Sequence, residues 1–131
     1  QPLSTISLIW RLVMEEALKT TLKENGVNLT VGLERFLGNE ALFEKFLRKF
    51  LLDSSFKEMS QSMEIGDTSE AFKAAHTLKG VAGNLSIDGV YHSVIPVMEA
   101  LRLGNLTEAQ KLFPILEEKY KSVIHILKTI A

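Results

Sequence analysis

The chain has 131 residues, 46% of them hydrophobic and 24% charged, with a net charge of −1 and no cysteine. This length suits one domain burying about two-thirds of its unfolded surface. The charge balance argues against a general nucleic-acid binder, which carries a basic excess. The lack of cysteine excludes disulfides and thiolate metal sites, and fits a reducing cytoplasm.

Leu3 to Met14 is apolar-rich, but Arg11 interrupts it and it falls short of the ~20 residues of a membrane span. No basic run precedes it and no small-residue cleavage site follows, so neither membrane insertion nor a signal peptide is expected. Ile6, Ile9, Trp10, Val13, Ala17 and Leu18 keep helical spacing. Residues 1–25 therefore read as an amphipathic N-terminal helix, or as a linker from an upstream domain.

Asn25-Gly26 ends that helix, since glycine adopts the left-handed conformation that stops one. A short helical piece covers Thr30 to Leu37, closed by Gly38-Asn39. One long helix is then predicted from the spacing of Phe43, Phe46, Leu47, Phe50, Phe56, Met59 and Met63. Gly66-Asp67 breaks it, and Asp67 with Glu70 makes a capping pair for the next helix. That helix is expected to reach Ser86 and to stop at the Asp88-Gly89 turn. Val90, Val94, Val97, Met98 and Leu101 stripe the following one, with Pro96 inside it as an expected kink and Gly104 at its end. Thr107 and Gln110 are read as a capping box for the last helix, striped by Leu112, Ile115, Leu116, Tyr120, Val123, Ile124 and Leu127. Pro114 is expected to bend its first turns. Four substantial amphipathic helices with short links predict an all-α fold: an antiparallel four-helix bundle over residues 26–131, with an additional N-terminal helical segment.

The chemistry concentrates around His76. On a helix turning about 100° per residue, Ala71, Ala74, Ala75, Leu78, Val81, Ala82 and Leu85 fall opposite the histidine. Lys73, Lys79, Gly80 and Gly83 fall on its own side, and Phe72, Asn84 and Ile87 lie beside or flanking it. Glycine inside a helix costs roughly 0.5–1 kcal/mol against alanine. Two glycines beside an outward histidine therefore point to something large approaching the imidazole closely. Both glycines have a simpler reading too, as close contacts with a neighbouring helix, and burial under a neighbour is an equal reading for Phe72.

Other chemistries fare worse. The bundle di-metal signature Glu-x-x-His is absent. Asp88 and His92 are four apart, but one pair does not make a metal site. His92 and His125 read as partly exposed helix residues. GVAG lies within a helix, without the strand and turn of a phosphate-binding loop, so the chain has no apparent means of phosphorylating itself. Two readings remain besides a reactive histidine presented to another protein: a helical module for interaction alone, and a metal- or cofactor-binding bundle.

His76-Thr77-Leu78-Lys79-Gly80, followed by Val81-Ala82-Gly83-Asn84-Leu85, closely resembles the bacterial histidine-containing phosphotransfer (HPt) domains. The resemblance extends upstream through Gly26-Val27-Asn28, Gly32-Leu33-Glu34-Arg35-Phe36 and Asn39-Glu40-Ala41-Leu42-Phe43, and covers Gly26 to Lys128. Two positions depart from the pattern: Ser86 stands where such domains usually have glycine, and Val81 where alanine or serine is frequent. Ser86 is placed at the edge of the site face, where it could alter docking, and Val81 toward the core.

The resemblance implies a cytoplasmic phosphorelay intermediate without its own ATP site. His76 would accept a phosphoryl group from a receiver-domain aspartate and pass it to another. Lys79 would neutralise the phosphoryl oxygens, and Gly80, Gly83, Lys73, Phe72, Asn84 and Ile87 would form the docking face. No cofactor of its own is expected; Mg²⁺ would come with the receiver. The implied partners are response-regulator receiver domains and an upstream sensor histidine kinase, including one of hybrid type. A neutral imidazole is a competent nucleophile near neutral pH.

Overall fold

The computed structural model describes residues 5–130, with side chains from Glu15 onward. The expected apolar positions Ile6, Ile9, Trp10 and Val13 lie outside the described side chains. Seven α-helices follow in order: α1 (Thr5–Glu24), α2 (Leu29–Arg35), α3 (Glu40–Lys49), α4 (Ser55–Glu64), α5 (Thr68–Asn84), α6 (Asp88–Arg102) and α7 (Leu106–Thr129). None of them is long and apolar enough to cross a membrane.

The four helices α4 to α7 are joined by three-residue links, which return each antiparallel to the last. α5 packs between α4 and α6, and α6 packs on α7. Phe56 of α4 stacks on Tyr120 of α7 with ring centroids 3.9 Å apart, closing the ring of helices. The stripe of α6 is buried as predicted, from Val90 through Leu101, and α6 runs on through Pro96. In α7 the stripe holds at Leu116, Val123 and Leu127, but Ile115 is largely exposed.

The single long helix expected from Phe43 to Met63 is two helices. A 3-10 turn, Phe50–Leu52, ends α3. Asp53 then accepts hydrogen bonds from the Ser55 amide, at 2.9 Å, and from the Ser55 hydroxyl. A carboxylate that satisfies the free amides of a new helix start competes with helix continuation. The apolar period survives the break, because Phe50 and Met59 both reach the core, while Leu52 is left exposed.

Caps follow the same local chemistry. Asp67 accepts from the Glu70 amide at 3.0 Å, as expected. The last helix starts earlier than predicted, capped by Asn105, which accepts from the Glu108 amide at 3.1 Å, rather than by Thr107. A side chain can cap only where its own backbone is still extended, and Thr107 is already helical.

The N-terminal segment is tied to the bundle by backbone. The Asn28 amide donates to the Ser86 carbonyl at 2.8 Å, and the Gly89 amide to the Gly26 carbonyl at 3.1 Å. Val27 and Ile87 pair as an isolated antiparallel bridge, both of them buried. Gly26 has φ +91°, and a Cβ there would stand 3.1 Å from the Gly89 Cα. The Asn28 side chain accepts from the Val31 amide and donates to Asp88 at 3.2 Å, capping α2 and gripping the first turn of α6. The Lys19–Glu40 ion pair, at 3.1 Å, holds α1 to α3, and Leu22 of α1 is buried.

Ser86 does not face a partner from the edge of the site, contrary to the sequence reading. α5 stops at Asn84, and Ser86 is buried with φ +56°. Asp88 and Gly89 open α6 instead of forming the stop. The Ser86 hydroxyl has no hydrogen-bond partner among the described residues. A left-handed backbone costs a non-glycine residue ~1–2 kcal/mol, and an orphaned buried hydroxyl ~1–3 kcal/mol, against under ~1 kcal/mol for glycine's extra freedom when unfolded. Ser86→Gly is therefore expected to stabilise the fold by about 1–2 kcal/mol, read as a higher denaturant midpoint at unchanged slope. A lower midpoint would mean that the hydroxyl is satisfied.

Candidate functional site

α5 has the two faces its sequence predicts. Ala71, Ala75, Leu78 and Ala82 are fully buried between α4 and α6, with Ala74 nearly so. Small side chains let the flanking helices come close, so the helix that carries His76 is fixed on both sides. His76 itself points to solvent from the middle of the helix. Val81, placed toward the core from sequence, is half-buried against it.

The neighbours of the imidazole separate into distinct roles. Phe72, one turn before, is half-buried and holds its ring tilted toward the imidazole, with centroids 6.2 Å apart. Lys79 stands one turn after, half-buried, and belongs to none of the ion pairs among the described residues. Gly80 is exposed, and a Cβ built there meets nothing within 4 Å. Asn84 is exposed at the C-terminal end of the same face.

Three expected docking residues look different in three dimensions. Ile87 is fully buried in the core and paired with Val27, so no partner can touch it. It leaves the histidine face because the helix stops before reaching it. Gly83 is not open: a Cβ there would lie 3.2 Å from the Tyr91 ring, which makes it the close contact between α5 and α6. Lys73 is held by Glu70 at 3.1 Å and lines a separate hollow with Glu58, Gln61 and Thr77.

His76 lies in an open concavity of about 540 Å³ with Lys79, Gly80, Gly83 and Asn84 of α5. Its walls come from Asn28, Val31 and Arg35 on one side and from Asp88, Tyr91 and His92 on the other. Arg35 donates from Nη1 to the Gly83 carbonyl. None of these wall residues was assigned to the site from sequence. Asn28 carries a readable signal, an asparagine just before a short apolar helix, but nothing local points it toward residue 88. His92 thus shares the rim of the His76 site, whereas His125 is an exposed residue of α7. Among the described residues no three histidine or carboxylate side chains gather as a metal site.

A wide, shallow, polar hollow around an exposed histidine suits docking of a protein surface better than enclosure of a small molecule, which takes a deep apolar pocket. A family model described as Hpt domain matches residues 43–125, more than half of the chain. No curated protein and no solved structure matches it.

The open surroundings of Gly80 have a measurable consequence. Gly80→Ala fits without displacing an atom and is expected to raise stability by up to ~1 kcal/mol through helix propensity alone. Gly83→Ala must push the Tyr91 ring and is expected to gain less. Thermal melts of the two variants check the order, and a destabilised Gly80→Ala would place that residue against a neighbour.

Proposed function

The chain belongs to the Hpt-domain family, and from that membership, which implies histidine phosphotransfer in phosphorelays, we propose that His76 is the phosphoacceptor between two receiver domains. The observation that carries this reading is the exposed His76 on a helix packed between α4 and α6, with Lys79 one turn on and the bare surface of Gly80 beside it.

The donor is an aspartyl phosphate on a receiver domain. An imidazole nitrogen of His76 attacks phosphorus in line, the bond between phosphorus and the aspartate oxygen breaks, and the carboxylate leaves with the electron pair. The imidazole releases a proton from its other nitrogen. Onward transfer reverses these roles at a second receiver: the imidazole takes a proton back on its other nitrogen, the carboxylate attacks phosphorus, and neutral imidazole leaves with the electron pair of the P–N bond. Such transfer depends mainly on alignment and neutralisation of charge. The flanked α5 helix supplies alignment, and the Lys79 ammonium supplies charge on this side. Mg²⁺, in this reading, arrives with the receiver. The original phosphoryl source, in this reading, is a sensor histidine kinase upstream, as membership of the family implies.

Incubation with a labelled phospho-receiver and Mg²⁺ tests the assignment. Wild type is expected to take up an acid-labile, alkali-stable label, and His76→Gln none. Label that persists in the variant, or maps to His92 or His125, would overturn it. A wild type that binds receivers without taking label would identify an interaction module instead.

Lys79→Ala is expected to slow transfer by tenfold or more, as loss of a charge-stabilising donor does, while stability changes by less than ~0.5 kcal/mol. Rapid-quench transfer rates beside thermal melts measure both. An unchanged rate would make Lys79 an ordinary surface charge.

A further inference from the structure

Arg35 lies upstream of the family-matched span, on a helix that the HPt match does not include. Yet the fold brings it to the wall of the His76 concavity. We propose that Arg35 is a docking determinant: it pairs with an acidic side chain of the incoming receiver, beside the phosphoryl-bearing aspartate, and sets how tightly that receiver binds. The inference rests on the phosphotransfer reading above.

Three observations carry it. The first is placement. α2 is held across the end of α5 by the Asn28 bonds to Ser86 and Asp88, and Gly32 seats it so closely that a Cβ there would overlap the Phe43 ring. Arg35 ends this helix, and its Nη1 donates to the carbonyl of Gly83. Gly83 is seven residues after His76, two helical turns along nearly the same face, about 10 Å away. That separation puts Arg35 beside the reaction, on the footprint of a docked partner.

The second is free hydrogen-bonding capacity. A guanidinium has five N–H donors in a fixed fork. The Gly83 carbonyl takes one of them, and Arg35 belongs to none of the ion pairs among the described residues. The bond to Gly83 also removes much of the side-chain freedom that a long exposed cation ordinarily loses on binding. Arg35 therefore presents an oriented fork suited to a carboxylate.

The third is charge. The whole chain has a net charge of −1, but the lining of this concavity is biased the other way. Arg35 and Lys79 line it, and its single carboxylate, Asp88, is engaged by the Asn28 amide. Lys73, placed on the docking face from sequence, is paired with Glu70 and lines a different hollow. Arg35 takes that place.

The test separates docking from chemistry and from structure. Transfer from a phospho-receiver to wild type, Arg35→Lys and Arg35→Gln is followed over a range of receiver concentrations, with melts and a salt series alongside. For Arg35→Gln the half-saturating receiver concentration is expected to rise about tenfold, as for loss of one charged hydrogen bond, with the maximal rate nearly unchanged. Its salt dependence should flatten, its melting temperature should stay put, and Arg35→Lys should recover most of the affinity. An unchanged half-saturating concentration in Arg35→Gln would overturn the proposal, leaving Arg35 as a tie between α2 and α5. A defect confined to the maximal rate, or equal losses of affinity and melting temperature in both variants, would overturn it as well. Absence of label in wild type would overturn the phosphotransfer reading and this proposal together, whereas a labelled wild type with an indifferent Arg35→Gln defeats this proposal alone.

Discussion

Gly26 and Gly89 meet backbone to backbone, and the site takes its shape from that contact. With a Cβ on Gly26 only 3.1 Å from the Gly89 Cα, no side chain fits between the two chain segments. The flanking amides and carbonyls bond across the gap, and Val27 and Ile87 bury their side chains on either side of it. Each buried hydrogen bond is worth about 1 kcal/mol net, and burial of a branched aliphatic side chain about 1.5–3 kcal/mol. A seven-residue helix such as α2 is too short to persist by its own propensity. It stands where it does because its start is anchored here and Gly32 lets it settle on Phe43.

From that anchor the histidine acquires surroundings. Without α2, His76 would be walled only on the α6 side, by Asp88, Tyr91 and His92. With α2 in place, the face becomes one side of a hollow whose walls come from segments 48 and 60 residues apart in the chain, joined through Arg35–Gly83 and Asn28–Asp88. Asn28 contributes to both anchor and wall. Its backbone holds Ser86, its side chain caps α2, and its amide occupies the one carboxylate that would otherwise offset the cations around the histidine.

α5 resolves a conflict between stability and access. Glycines at 80 and 83 weaken a helix by roughly 0.5–1 kcal/mol each. The opposing alanines favour helix formation and let α4 and α6 pack closely, so the helix is held by its neighbours rather than by its own exposed face. The two glycines then diverge. Gly80 keeps the approach to the imidazole clear, and Gly83 makes room for Tyr91. They look alike in the sequence, since both project on the histidine side. Only the position of α6 tells them apart.

What the sequence determined by itself was the local and the periodic. The 3.6-residue repeat sorted α5 into a buried alanine face and an outward His76, and the stripe of α6 is buried as its spacing requires. Glycines at 26, 38, 66 and 104 end helices with positive φ because that conformation is cheap for them alone. Periodicity misled where an apolar run crossed the turn at Phe50–Leu52, because Asp53 acts on backbone amides and leaves the hydrophobic spacing intact. It misled again at Ile87, since a helical projection holds only while the helix lasts, and Ser86 had already turned the chain with a positive φ. The placement of Arg35, Asn28, Asp88 and Gly83 around the histidine was decided by tertiary structure. Each depends on a contact between distant segments, and no repeat within a single helix encodes which other helix will face it.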